Sequence, residues 1–131
     1  MVPVTALTAG LLAILFLVLS ARTISARRAA RISVGPGEDK TLLRAMRVHA
    51  NFAEYAPYTL ILMALGELNG APWWLVSIVG LALIFGRLAH AYGMSKSPDN
   101  FGWRVRGMFS TFLALALGAL IAAGFGVASL L

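Results

Sequence analysis

Arg44, Arg47, Asn51 and Glu54 are spaced i, i+3, i+7 and i+10 in a polar run that leads into an apolar segment ending near Gly66. At about 100° per residue they fall within an arc of roughly 80° on one helical face, so they form a single polar stripe. Val48, Phe52 and Tyr55 form an apolar flank beside it, about 60–120° round the helix from its centre. An ionisable side chain at membrane depth costs about 2.5–3.5 kcal/mol unless it is paired or faces water, which makes Glu54 a functional-site candidate. The chemistry open to such a stripe is the binding of a polar ligand or proton-coupled transport. The alternative is that Glu54 and an arginine, Arg47 or Arg87, form an interhelical ion pair that only locks the helices together. Arg87 and His90, three residues apart in another apolar segment, give a second polar pair on one helical face.

The elements that must position these residues are membrane helices. Hydrophobic residues are 60% of the chain and charged ones 12%, about half the charge content of a soluble domain. Mean hydropathy is +0.83. Four apolar segments approach the ~20 residues needed to cross a bilayer: about Val2–Ala21, Val48–Gly66, Trp73–Tyr92 and Met108–Leu131. Alternating ten-residue strands of a barrel are absent, so helices must satisfy the backbone in lipid. The expected fold is an all-α integral membrane protein, a four-transmembrane-helix bundle forming one domain over residues 1–131. The first segment reads as a signal-anchor-like helix rather than a cleaved secretory signal, because its basic cluster follows the apolar run.

Arg22, Arg27, Arg28, Arg31, Lys40, Arg44 and Arg47 lie between or beside the first two spans, and Lys96, Arg104 and Arg106 between the last two. The connection Glu67-Leu68-Asn69-Gly70-Ala71-Pro72 has no basic residue. By the positive-inside rule both basic loops are cytoplasmic and both termini lie across the membrane. Arg22, Arg31, Lys40 and Lys96 are read as topology signals attracted to anionic headgroups. Trp73, Trp74 and Trp103 read as interfacial belts, which argues against nucleic acid as a partner.

The chain has no cysteine, so any thiol chemistry must use a thiol brought by a ligand, and no metal site is expected. Neither a P-loop nor a dinucleotide fingerprint occurs. Gly35-Pro36-Gly37 is a turn before the second helix, with Glu38 and Asp39 suited to its first turn. Gly118, Gly124 and Gly126 receive no role beyond close packing.

Three runs carry a family resemblance: Ile24-Ser25-Ala26-Arg27-Arg28-Ala29-Ala30-Arg31-Ile32-Ser33; Arg47-x-His49-x-Asn51-x-x-Glu54-Tyr55-x-Pro57; and Arg87-Leu88-Ala89-His90. Together they resemble the superfamily of membrane-associated proteins in eicosanoid and glutathione metabolism, over the whole chain in length, span count and motif order. The resemblance implies a homotrimer that holds glutathione as co-substrate between neighbouring subunits near the cytoplasmic side. It also implies glutathione contacts at Arg47, Asn51, Glu54 and Tyr55, and an Arg27 that reaches the site from a neighbour. Arg87 corresponds to a buried structural or binding arginine, and His90 to a position held by His or Tyr. Glutathione carries two carboxylates, which suit guanidinium forks, and one α-ammonium, which suits Glu54. In enzymes of the family an arginine at the start of the fourth helix stabilises the thiolate. Arg104 and Arg106 both qualify, and Arg106, followed by Gly107-Met108-Phe109-Ser110-Thr111, fits the pattern better. This chain departs from the family at Met94, near where a glutathione-contacting tyrosine often stands, and in a longer Ser97–Trp103 loop.

The resemblance therefore implies a membrane glutathione transferase or peroxidase acting on lipophilic small molecules or lipid hydroperoxides. The alternative is a non-catalytic lipid-binding or accessory membrane protein of the same fold. A transporter is disfavoured because no inverted repeat or broken helix pair is visible. The simple loops and Ala/Gly-rich helices point to a bacterial inner membrane, with membrane lipids as constant partners.

Overall fold

The computed structural model describes all 131 residues. Four α-helices account for most of them: α1 (Pro3–Ala30), α2 (Lys40–Leu68), α3 (Trp73–Ser95) and α4 (Phe101–Ala128). At the basic end α1, α2 and α4 run beyond the apolar segments, to Ala30, from Lys40 and from Phe101. α1 closes on Arg31 in the left-handed region (φ 56°), whose N–H bonds the Arg27 and Arg28 carbonyls. Gly35 and Gly37 supply the positive φ values of the connecting turn. α2 then starts at Lys40. Asp39 is its N-cap rather than a first-turn residue, and its carboxylate accepts the Leu42 N–H at 2.7 Å.

Three helices, α1, α3 and α4, are long and apolar enough to cross a membrane. α2 is long enough but less apolar, because His49, Asn51 and Glu54 interrupt its apolar stretch and Lys40, Arg44 and Arg47 precede it. It can cross lipid only with its polar stripe covered by protein or water.

α3 is the central element. Its buried positions, from Val76 to Gly93, go round much of the helix, while α1 buries the single stripe Thr5, Thr8, Leu12 and Leu19. α4 buries Gly107, Thr111, Ala114, Gly118 and Ile121, alternating four- and three-residue steps. α1 and α4 each pack on α2 and α3 and do not touch one another, so the assembly has two open edges. Leu17, Leu81, Phe109 and Leu120 are each about two-thirds exposed, a surface suited to lipid or further protein rather than water.

The closest helix pairing is α3 on α4, and small residues make it possible. A Cβ on Gly107 would collide with the backbone of His90; one on Gly93 would come within 2.5 Å of the Arg104 nitrogen. Gly86 meets Thr111 in the same way. At the opposite end of the molecule Glu67 ties α2 to α1: its carboxylate accepts the Val4 and Thr5 N–H groups, both at 2.9 Å, and the Thr5 hydroxyl at 2.8 Å. The carboxylate thus caps the N-terminus of a different helix.

Candidate functional site: a polar cavity between three helices

Arg87 anchors the region. It is 1% exposed, and its Nε and Nη2 donate to Thr111 Oγ1 at 3.1 and 2.7 Å. Nη1 donates to Asn51 Oδ1 at 2.8 Å and to the Asn51 carbonyl at 3.2 Å. One guanidinium therefore joins α2, α3 and α4. The Tyr55 ring lies 5.8 Å from this guanidinium and edge-on to Phe112. Thr111 in turn donates to the Gly107 carbonyl at 2.8 Å, linking the anchor to the glycine that brings α4 against His90.

On the basic-loop side of this anchor lies a cavity of about 220 Å³ lined by Arg47, Ala50, Asn51 and Glu54 of α2, His90 and Met94 of α3, and Arg104 and Met108 of α4. The structure thus brings five of the candidate residues together: Arg47, Asn51, Glu54, His90 and Arg104. Arg47 and Glu54 are exposed within the single chain and His90 is buried in the wall. The chain's one ion pair is Arg104 to Asp99, 2.8 Å. Glu54 consequently has no arginine partner in the chain, so the interhelical lock considered for Glu54 with Arg47 or Arg87 is not formed there. Opposite charges stand in one cavity without neutralising each other.

Four other candidates lie elsewhere. Arg87 is used up by Thr111 and Asn51, and Tyr55 flanks it outside the cavity lining. Arg27 folds back on its own loop, donating to the carbonyls of Ile32, Ser33 and Gly35 at 3.0–3.2 Å. Arg106, preferred from sequence as the thiol-activating group, lies exposed with its guanidinium 5.5 Å over the Trp103 ring, and Arg104 occupies the cavity wall instead. Arg44, first of the stripe, reaches past the cavity to the Lys96 carbonyl at the α3 C-terminus, where a cation is favoured.

The sequence reading missed the wall-forming role of Met108 and the glycines behind it. A signal for them existed. Gly86 and Gly93 are seven residues apart on the face of α3 that carries Arg87 and His90, and Arg104 precedes Gly107 by three, extending the buried stripe of α4. Arg106 is one residue from Gly107, about 100° off that stripe.

Residues 5–124 match the profile of the MAPEG family. Over 114 residues the chain is 40% identical to the inner membrane protein YecN of Escherichia coli strain K12, covering 87% of this chain and 86% of that protein. The inner membrane protein YecN of E. coli O6:H1 strain CFT073 matches to the same extent. With three apolar helices of spanning length and inner-membrane relatives, this is a multi-pass membrane protein. The extent of both matches shows that the chain belongs to the MAPEG family.

Proposed function

We propose that the cavity binds glutathione and activates its thiol for attack on a lipophilic electrophile or lipid hydroperoxide. The observation that carries this reading is the donor set: two arginines, an amide and an unpaired carboxylate in one cavity. Such a set suits a ligand with two carboxylates, an ammonium and a peptide backbone. Glu54 takes the ammonium, Arg47 a carboxylate, and Asn51, oriented by Arg87, a backbone group. Arg104, held by Asp99, stabilises the thiolate and lowers a thiol pKa that starts near 8.5. In conjugation the thiol proton leaves to water and the thiolate sulfur bonds to an electrophilic carbon. That carbon either expels its leaving group as an anion or, in an activated double bond, passes the π electrons to the neighbouring carbon, which takes a proton from water. In peroxide reduction two thiols become a disulfide while the hydroperoxide yields an alcohol and water.

A volume of about 220 Å³ is below the ~300 Å³ at which small-molecule sites begin. The cavity is open where Arg47 and Glu54 are exposed, and the two unpaired edges at α1 and α4 leave room for neighbours. These features support an adjacent chain that completes the site, and a homotrimer is the arrangement the family resemblance implies. The basic loops, and the site with them, are proposed to face the cytoplasm.

Glutathione added near neutral pH is expected to give binding heat, a rise in ultraviolet thiolate absorbance and proton release. Arg104→Ala should abolish the absorbance while leaving much of the binding, because that charge acts on sulfur. Arg106→Ala should have the smaller effect. Binding without a thiolate signal would make the chain a non-catalytic binding protein; no heat at millimolar glutathione would remove glutathione altogether.

A further inference from the structure

A second groove lies on the outward face of the α3–α4 pair, away from the polar cavity. It has a volume of about 350 Å³ and is lined by Phe85, Leu88, Ala89 and Tyr92 of α3 and Trp103 of α4. The α3 residues are spaced i, i+3, i+4 and i+7, one helical face, and Arg87 and His90 lie between them in sequence but point into the protein. Trp103 closes the groove, its ring 6.1 Å from Tyr92 and 6.4 Å from Phe85. Both aromatic faces carry a cation at the polar rim. The Lys96 ammonium lies 4.8 Å over the Tyr92 ring, and the Arg106 guanidinium 5.5 Å over that of Trp103. Lys96 and Arg106 are exposed and neither is in an ion pair. The groove is therefore apolar along its length and doubly cationic at one end. That end is also where α3 stops and α4 starts, the depth at which interfacial tyrosine and tryptophan sit.

Charge decides what covers it. A second copy of the chain has few acids to offer two cations. Asp39 caps α2, Glu54 lines the polar cavity, Glu67 caps α1 and Asp99 pairs with Arg104, leaving Glu38 alone of the five. The surrounding bilayer offers phosphate on every molecule, with an acyl chain attached at the right depth. We propose that this groove is a binding site for an anionic phospholipid of the bilayer. Lys96 and Arg106 hold its head group, and an acyl chain lies along Phe85 and Leu88 between Tyr92 and Trp103. The aromatic rings fix the directions of the two cations, so the site selects negative head groups rather than lipid in general. This inference is independent of what the polar cavity binds.

The three tryptophans make the test direct, because Trp73 and Trp74 lie at the far end of α3. Full-length protein with Trp73→Phe and Trp74→Phe keeps Trp103 as its only tryptophan. It is reconstituted in phosphatidylcholine vesicles containing brominated phosphatidylglycerol or brominated phosphatidylcholine, and Trp103 quenching is followed as the brominated fraction rises. The expected result is half-quenching at about thirtyfold lower mole fraction of the phosphatidylglycerol, from two basic residues each favouring an anionic surface. Adding Lys96→Gln and Arg106→Gln should erase the preference, with quenching retained and helical circular dichroism unchanged. Equal quenching by both lipids overturns the proposal, because the groove is then only lipid-exposed. A preference that survives the double substitution overturns it as well. Absence of quenching by either lipid does so in a third way, by placing protein over the groove.

Discussion

At the end of the helices that carries the chain termini the one charged side chain, Glu67, receives three hydrogen bonds from α1. At the opposite end Arg47 and Glu54 stand in a cavity with opposite charges and no partner in the chain. Between them Arg87, the most deeply buried charge, is satisfied through Asn51 and Thr111. Charges whose partners all come from within the chain hold helices together. Those left without a partner at membrane depth cost free energy until something from outside arrives, a ligand or a neighbouring chain. The difference is the physical ground for proposing Arg47 and Glu54 as binding charges.

The largest effect should follow from removing the central brace. Arg87→Ala deletes a fully buried side chain and leaves Thr111 Oγ1 and Asn51 Oδ1 without their donor. A loss of at least about 3 kcal/mol is expected, from the cavity and the lost charged hydrogen bonds together. Thermal unfolding in detergent should show a midpoint lower by about 10 °C or more. A shift of only a degree or two would mean that Arg87 is not structural and would return it to the list of binding groups.

Next is binding. Truncating one partner of a desolvated charged pair costs about 2–5 kcal/mol, so Glu54→Gln or Arg47→Ala should weaken glutathione by more than about thirtyfold. Titration calorimetry measures it. Unchanged affinity in both variants would show that the unpaired charges serve something other than this ligand.

How much of this was legible in sequence follows from the same distinction. The stripe Arg47, Asn51 and Glu54 could be read because polar residues interrupt an apolar run at helical spacing, a property of one helix. Which of Arg104 and Arg106 lines the cavity cannot be read from spacing alone, because it depends on which face of α4 meets α3. Gly107 sets that face, since only there can the helix come against the His90 backbone. The resemblance implies an Arg27 that reaches a neighbouring subunit's site; within the chain its guanidinium donates to three loop carbonyls, and no spacing rule announces acceptors five to eight residues away. The Glu67 clamp was missed for a similar reason. Its partners are backbone N–H groups of α1 more than sixty residues distant in sequence, and N–H groups leave no mark in a sequence.

The clamp at Glu67 should be worth less than the Arg87 brace and should depend on pH. Glu67 lies just beyond the apolar span that ends at Gly66. Burial pushes its carboxyl pKa up, but the N–H groups of Thr5 and Val4, the Thr5 hydroxyl and the amino terminus together hold it below the usual carboxylate range. A depressed folded pKa gives stability that is present above the unfolded value, near 4.3, and is lost as pH falls through the folded value. Glu67→Gln should therefore cost about 1 kcal/mol at neutral pH, the size of a lost helix cap with solvent screening allowed for. The gap between variant and parent should close below about pH 4. A gap that persists at low pH would assign the effect to packing instead of charge.

The smallest effect tests the comparison most sharply. Glu54 makes no hydrogen bond or ion pair in the chain and is exposed to the cavity mouth. Glu54→Gln should then leave the unfolding midpoint of ligand-free protein within about 2 °C of the parent, as for exposed substitutions generally, even though the same change weakens ligand binding by more than about thirtyfold. Excess glutathione should raise the parent's midpoint and raise the variant's by much less, in proportion to its weaker binding. If ligand-free Glu54→Gln melts well below the parent, a neighbouring chain supplies a partner that the isolated chain lacks. The carboxylate would then belong with Glu67 and Arg87 among the charges that hold helices together, and crosslinking should show less oligomer for the variant than for the parent. If the midpoint holds while affinity collapses, Glu54 is kept unpaired for a ligand, and the two ends of the molecule differ in the way proposed.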